Sequence, residues 1–501
     1  MKTELIIAIV VLIYGLVCLA IAAKARLSES SSANYFVGGR SFGIVITVCT
    51  VVMGIYSGLT FYGFPSTIMN GGIFPIAATG FAFIGIAYPF IGYRMWKMGK
   101  GRNYITLSDF LSERYESSGY GLLCSLIQLI FIIPYMTVQF VAVANGLTYS
   151  TNNLVSYPVV LILYGLLTIA YLVIGGAKGT STVDIFNAAL AVVVPLVAIF
   201  IVVGKNFDGS FAQMGQTALE KFPNMMDAAS FGKTYSPINI LGLIISGMVA
   251  LFAAPHIASK FFMASGRKTF QKMTWVGPVF YTILTIPIVL MGMLGIALYK
   301  GELAASEADF LVPKMMMDYC PLIIVILMLW VLLAFCMSTT NGFTFAAATV
   351  FSNDLIMKYG MKNMPASEAR DKKAIFYGKI GVVVVIAATV LLALTRPTAI
   401  VDYAYTFATP GFAQILPAMI FGMYWKRASK QGAIAGTVVG LATLVVTLFI
   451  IPRPLGIHPV IWSLGLNIVV FLIVSFATRP SDETVEKFFG AELDKISADQ
   501  K

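Results

Sequence analysis

Long apolar runs, separated by short polar or glycine-rich stretches, make up almost the whole chain. A bilayer core is crossed by about 20 apolar residues in a helix. Runs of that length fall at roughly 5–24, 43–69, 72–98, 121–149, 155–175, 181–204, 237–264, 274–299, 321–352, 375–395, 398–424, 431–451 and 460–477. The pattern therefore predicts thirteen spanning helices. The longest outer segment, 205–236, has room for a short helix. The end "RPSDETVEKFFGAELDK" reads as an amphipathic tail without which the chain should still fold.

Composition agrees with the pattern. The 501 residues are 58% hydrophobic and 11% charged, against about 25% charged in soluble domains. That shortage indicates a polytopic bundle in a lipid bilayer, in a bacterial inner membrane for so loop-poor a chain. The first run lacks a small-residue cleavage site and is read as a retained helix. The net charge of +11 does not indicate nucleic acid, because the bases lie in short segments between apolar runs. With the N-terminus outside, 26 of the 34 Lys and Arg residues fall on the cytoplasmic side and 8 outside. This asymmetry fixes an N-out/C-in topology.

Cys18, Cys49, Cys124, Cys320 and Cys336 have no paired spacing and read as small core hydrophobes. His256 and His458 are the only histidines, and no metal-ligand cluster is spaced along the chain. An intramembrane enzyme would need an acid/base pair, and a channel would need charge rings or a filter repeat. Neither is visible, so the chain is read as no enzyme. No obligatory protein partner is evident.

Two spans carry helix-breaking residues. The second contains "VVMGIYSGLTFYGFP", with Gly54, Gly58 and Gly63 before Pro65. The seventh contains "ISGMVALFAAPHIASKFF", with Gly247 and Pro255. Singly, these are compatible with close helix packing or a proline kink. However, they open two groups of five spans, 43–204 and 237–424. Paired breaks at corresponding positions point to a binding site between two repeats.

Four motifs then resemble the sodium/solute symporter family. They are "YFVGGRSFG" (Tyr35–Gly43), "GGAKGTSTVDIFN" (Gly175–Asn187), "MST" (Met337–Thr339) and "YWKRASKQGAIAG" (Tyr424–Gly436). The likeness runs from about residue 35 to 440, towards the monocarboxylate/pantothenate branch. It implies an all-α integral membrane protein with a LeuT-type five-plus-five inverted repeat core. The divisions are then an N-terminal flanking helix (1–34), a first repeat (35–204), an extracellular loop (205–236), a second repeat (237–424), two flanking helices (425–478) and a cytoplasmic tail (479–501).

The stretch "FCMSTTNGFT" places several polar side chains after a wholly apolar run. Phe335, Ser338 and Thr339 share one helical face. Hydroxyls and freed carbonyls suit a singly charged hard cation such as the sodium ion. The alternative is that both hydroxyls bond back to carbonyls four residues earlier. The resemblance adds Met53 and Tyr56 as carbonyl ligands, which completes a sodium set of Met53, Tyr56, Phe335, Ser338 and Thr339. It also places the intramembrane acid Asp184 on the sodium exit path, where a helix N-cap is the competing role.

Candidate solute-lining residues are Ser57, Leu59, Thr60, Gln139, Gly247, Leu251, Phe252 and Tyr405. "TVQF" (Thr137–Phe140) resembles pantothenate symporters, although an interhelical hydrogen bond would equally explain Gln139. The proline symporter carries an acid where this chain has Ile55. The expected function is sodium-coupled import of a small organic solute, pointing to a monocarboxylate-type anion. An amino acid or sugar as solute, and coupling to protons, stay open.

Overall fold

The computed structural model describes residues 3–26, 31–73, 87–100, 102, 104–227, 236–365, 367–397 and 400–490. The first run is α1 (Thr3–Ala25). The second is α2 (Ile44–Ile55) and α3 (Leu59–Gly71), bent by 56°. Between them Tyr56 is extended (φ −72°, ψ 127°). The helix resumes with one wide turn, Leu59–Gly63, ahead of Pro65. A wide turn accommodates the missing proline N–H without a buried orphan carbonyl. About half of the third run, 74–86, lies outside the described residues, and its last turns, Ala87–Gly92 and Tyr93–Gly99, are helical.

A short helix absent from the predicted spans, α4 (Leu107–Arg114), follows. Thr106 and Asp109 close its start reciprocally, each side chain bonding the other's N–H. Next come α5 (Ser118–Ser150) and α6 (Tyr157–Asn206). α6 holds two of the predicted spans, jointed at Gly176 (φ 59°, ψ −177°). Only glycine enters that backbone region without strain. The outer segment contains α7 (Phe211–Lys221).

The seventh run is again divided, into α8 (Pro237–Phe252) and α9 (Pro255–Met263), bent by 40°. Ala254 at the joint is extended (φ −67°, ψ 132°), as the residue before a proline prefers. A small backbone bridge links the two broken spans. Phe42 N–H donates to the Met263 carbonyl (3.2 Å), and Ser265 N–H to the Phe42 carbonyl (3.1 Å).

The remaining spans are α10 (Arg267–Tyr299), α11 (Leu322–Gly360), α12 (Glu368–Ala393), α13 (400–424, in short helical pieces), α14 (Lys430–Ile450) and α15 (Pro459–Ala477). Among the described residues, eight helices are long and apolar enough to cross a bilayer, and ten with each bent pair taken as one span. The other three predicted spans are the third run, the second part of α6, and the divided α13. Exposed apolar side chains such as Leu16, Leu166, Phe200, Val279 and Ile473 suit a hydrocarbon surround.

α11 outruns its predicted end at 352 because its charged continuation finds partners. The buried Asp354 carboxylate accepts from Thr106 Oγ1 (3.1 Å) and Ser125 Oγ (2.8 Å). Lys358 Nζ lies 3.5 Å from Asp354 and 2.5 Å from Asp109. The tail forms α16 (Asp482–Phe489) and docks on α4. Phe488 is fully buried against Phe110 (6.0 Å), with the Arg102 guanidinium 4.8 Å from its ring. Lys487 pairs with Glu113 at 2.5 Å, and Glu116 accepts from the Ser481 and Thr484 hydroxyls. Arg114 beneath it donates to the carbonyls of Gly422 (2.8 Å) and Trp425 (3.2 Å). Burial holds its guanidinium below the usual arginine range.

Candidate ion and solute site

The polar run of α11 meets the break between α2 and α3. Thr339 Oγ1 donates to the Tyr56 carbonyl at 2.9 Å and approaches the Gly54 carbonyl at 3.4 Å. Its hydroxyl thus leaves its own helix. Thr349, further along α11, shows the ordinary alternative and donates to the Phe345 carbonyl four residues back (2.7 Å). Ser338 Oγ is buried and has no partner.

The carbonyls across the break are freed by local contacts. Ser57 N–H, the natural helical partner of the Met53 carbonyl, goes instead to Thr60 Oγ1 (3.3 Å). Tyr56 is anchored by its phenol, which donates to the Tyr281 carbonyl (2.7 Å) and also bonds the Thr285 hydroxyl. Its ring stacks on Phe335 at 5.6 Å. The structure therefore brings Tyr56, Phe335 and Thr339 together, with Met53 one turn along α2 and Ser338 next to Thr339 on α11.

Close approach at the break depends on Gly58. A Cβ there would lie 2.5 Å from Ala142 Cβ and 2.9 Å from Cys336 Sγ. Gly58 N–H is capped by Gln139 Oε1 at 2.8 Å. Gly58→Val should push α3 from α5 and α11 at a cost of about 1–3 kcal/mol, the range for overpacked cores. A lower melting temperature in detergent, with any sodium response lost, is the expected result. An unchanged melting temperature would show that the break has room to spare.

Asp184 is not a helix cap. It lies eight residues past Gly176, inside continuous helix, and Oδ1 has no partner. With Ser181, Lys260, Ser338 and Asn341 it lines a cavity of about 20 Å³. Both polar atoms of the Asn341 side chain are also unpartnered. Lys260, one of the 26 Lys and Arg residues that the topology reading assigns to the cytoplasmic side, is buried on α9. Its Nζ donates to Thr50 Oγ1 (2.6 Å), which bonds Ser181 Oγ (3.2 Å). The positive charge sits inward because α9 resumes after Pro255 and turns that face towards α2.

A second enclosed cavity, also about 20 Å³, lies on the other side of the break. Of the candidate solute residues, Leu59, Thr60, Gly247, Leu251 and Tyr405 line it. Ser57, Gln139 and Phe252 do not: Gln139 is drawn to Gly58 N–H, and Ser57 and Phe252 are buried outside its wall. Ile55, Tyr56, Phe64, Tyr135 and Tyr281 complete the lining. Tyr135 stands one turn before Gln139 on α5, and nothing in the sequence marked it or Tyr281 as wall residues. None of these side chains carries a formal charge. The volume admits about one water, so a solute requires the walls to part.

Comparison with known proteins identifies the family. The model of the sodium:solute symporter family matches residues 35–440. Related proteins include the uncharacterized symporter YodF of Bacillus subtilis, 26% identical over 98% of this chain and 97% of its own length. The sodium/pantothenate symporter of Escherichia coli is 24% identical over 97% of this chain and 99% of its own. The sodium/proline symporter of Staphylococcus aureus is 25% identical, over 97% and 95%. Among solved structures, a Na+-coupled sialic acid symporter has the same fold, with a TM-score of 0.81 at 16% identity over 96% of this chain and 98% of that one. Family match, helical architecture and apolar spans converge: this multi-pass plasma-membrane protein is a transporter, not an enzyme, and belongs to the sodium:solute symporter family.

Proposed function

We propose that the protein imports a small organic solute together with sodium by alternating access. The ion is held by the carbonyls of Met53, Tyr56 and Phe335 and the hydroxyls of Ser338 and Thr339. The observation that carries this reading is the Thr339 hydroxyl turned onto the Tyr56 and Gly54 carbonyls, with Ser338 Oγ open beside it. Sodium binding there joins α11 to the broken helix and completes the solute site across the break. The inward sodium gradient then drives uptake.

The proposed solute is a monocarboxylate-type anion. An amine would find no carboxylate partner in the cavity wall, and Ile55 stands where an acid would serve. The Ser57 and Gly58 amides now bond neutral oxygens of Thr60 and Gln139. A carboxylate taking their place makes charge-assisted, stronger hydrogen bonds at a helix N-terminus. Pantothenate, the solute named for one relative, is itself a monocarboxylate.

Melting temperatures of the purified protein in sodium against potassium, across organic acids, amino acids and sugars, test both parts. A ligand of the folded state raises apparent stability. A sodium-specific rise, with a further rise for a carboxylate, is expected. A compound that stabilises equally in potassium would remove the sodium assignment. A response to neutral sugars or amino acids alone would remove the anion.

A further inference from the structure

Below Ser338 the protein holds two buried side chains of opposite charge that the ion site does not use. Asp184 is 4% exposed and Lys260 is 8% exposed. They come from different repeats, on α6 and α9, and line one cavity. Among the described residues they are its only charged lining groups. No direct ion pair within 4 Å joins them. Lys260 Nζ donates to Thr50 Oγ1 (2.6 Å), which donates to Ser181 Oγ (3.2 Å), one turn before Asp184 on α6. An ammonium has three donors, and one is used here. Asp184 Oδ1, Ser338 Oγ and both polar atoms of Asn341 remain open towards this region.

The cavity, about 20 Å³, admits one water or one small ion. A lone buried carboxylate lined by hydroxyl and amide oxygens would draw a cation into that space, because an uncompensated charge in hydrocarbon is costly. The lysine already supplies that charge on a tether. We infer that Lys260 is a built-in cation that compensates Asp184 and thereby limits the protein to a single bound sodium ion. Lys260 acts as a specificity-determining residue: it closes the path below Ser338 to a second ion without touching the first. This rests on the sodium site proposed above.

Equilibrium binding of radioactive sodium to the purified protein, in potassium at constant ionic strength, tests it. One ion per chain is expected for the unaltered protein and for Lys260→Arg. Two ions, with a Hill coefficient above one, are expected for Lys260→Gln, returning to one when Asp184→Asn is added. Two ions in the unaltered protein, or one in folded Lys260→Gln, would overturn the inference. Should Lys260→Gln fail to fold, Asp184→Asn alone remains informative. It leaves the ammonium uncompensated and should raise the half-saturating sodium concentration at least tenfold, whereas an unchanged value would overturn the inference. No sodium bound by the unaltered protein would instead remove the ion site on which it rests.

Discussion

Ser338→Ala and Thr339→Ala should each weaken sodium binding about tenfold to a hundredfold, and together abolish the sodium-specific rise in melting temperature. A hydrogen-bonding group that serves a charge is worth about 1.5–3 kcal/mol. The two variants should nevertheless differ in potassium. Ser338 Oγ has no protein partner, so its removal costs the ion-free protein little. Thr339 bridges two helices through the Tyr56 and Gly54 carbonyls. Deleting its hydroxyl leaves a buried acceptor unsatisfied, at about 1–3 kcal/mol, and lowers the melting temperature in either salt. Thr339→Ser keeps the oxygen and should retain the sodium response. Sodium half-saturation unchanged in both alanine variants would place the ion elsewhere.

Lys358→Ala should produce the largest loss of stability outside the ion site. It leaves the carboxylates of Asp354 and Asp109 together at the Lys/Arg-rich end with no cation between them. Breaking a fully buried pair costs about 3–5 kcal/mol. Asp354 is 2% exposed but the Lys358 side chain is 37% exposed, so solvent screening reduces the expected loss to about 2–3 kcal/mol. Adding Asp354→Asn should recover part of the melting temperature, because the amide still bonds Thr106 and Ser125 without charge. No recovery would mean that Lys358 acts through packing.

The breaks were legible because helix-disfavouring residues cluster there: Gly54, Gly58 and Pro65 in one span, Pro255 in the other. Hydropathy could not see that Gly176 joints two spans within a single helical run, since one residue suffices where a polar loop was expected. Nor could it see α11 continue past 352, where the helix is held by Asp354 and Lys358 contacts with α4 and α5. The start of α4 is written as "TLSD" (Thr106–Asp109), a four-residue capping box that leaves no mark in a pattern of apolar runs. At the site, the grouping of Phe335, Ser338 and Thr339 followed from helical spacing. The wall tyrosines Tyr135 and Tyr281 did not, because an apolar run with a tyrosine looks the same whether it faces lipid or a cavity. Lys260 was misplaced for a related reason: charge counting assigns a base near a span's end to the loop, whereas the bend at Ala254 carries it inward.

The opposite charges of Asp184 and Lys260 also bear on how the membrane voltage acts. Both line the same small cavity, so their sum is zero whether each is ionised or a proton has passed between them. The pair therefore adds nothing to the charge that the empty carrier moves on its return. A sodium ion held by the neutral oxygens of the proposed site would add one full charge to the loaded carrier, worth about 2.3 kcal/mol per 100 mV of potential across the whole membrane. On the proposed site, voltage would pull on the loaded half of the cycle and leave the empty half to thermal motion.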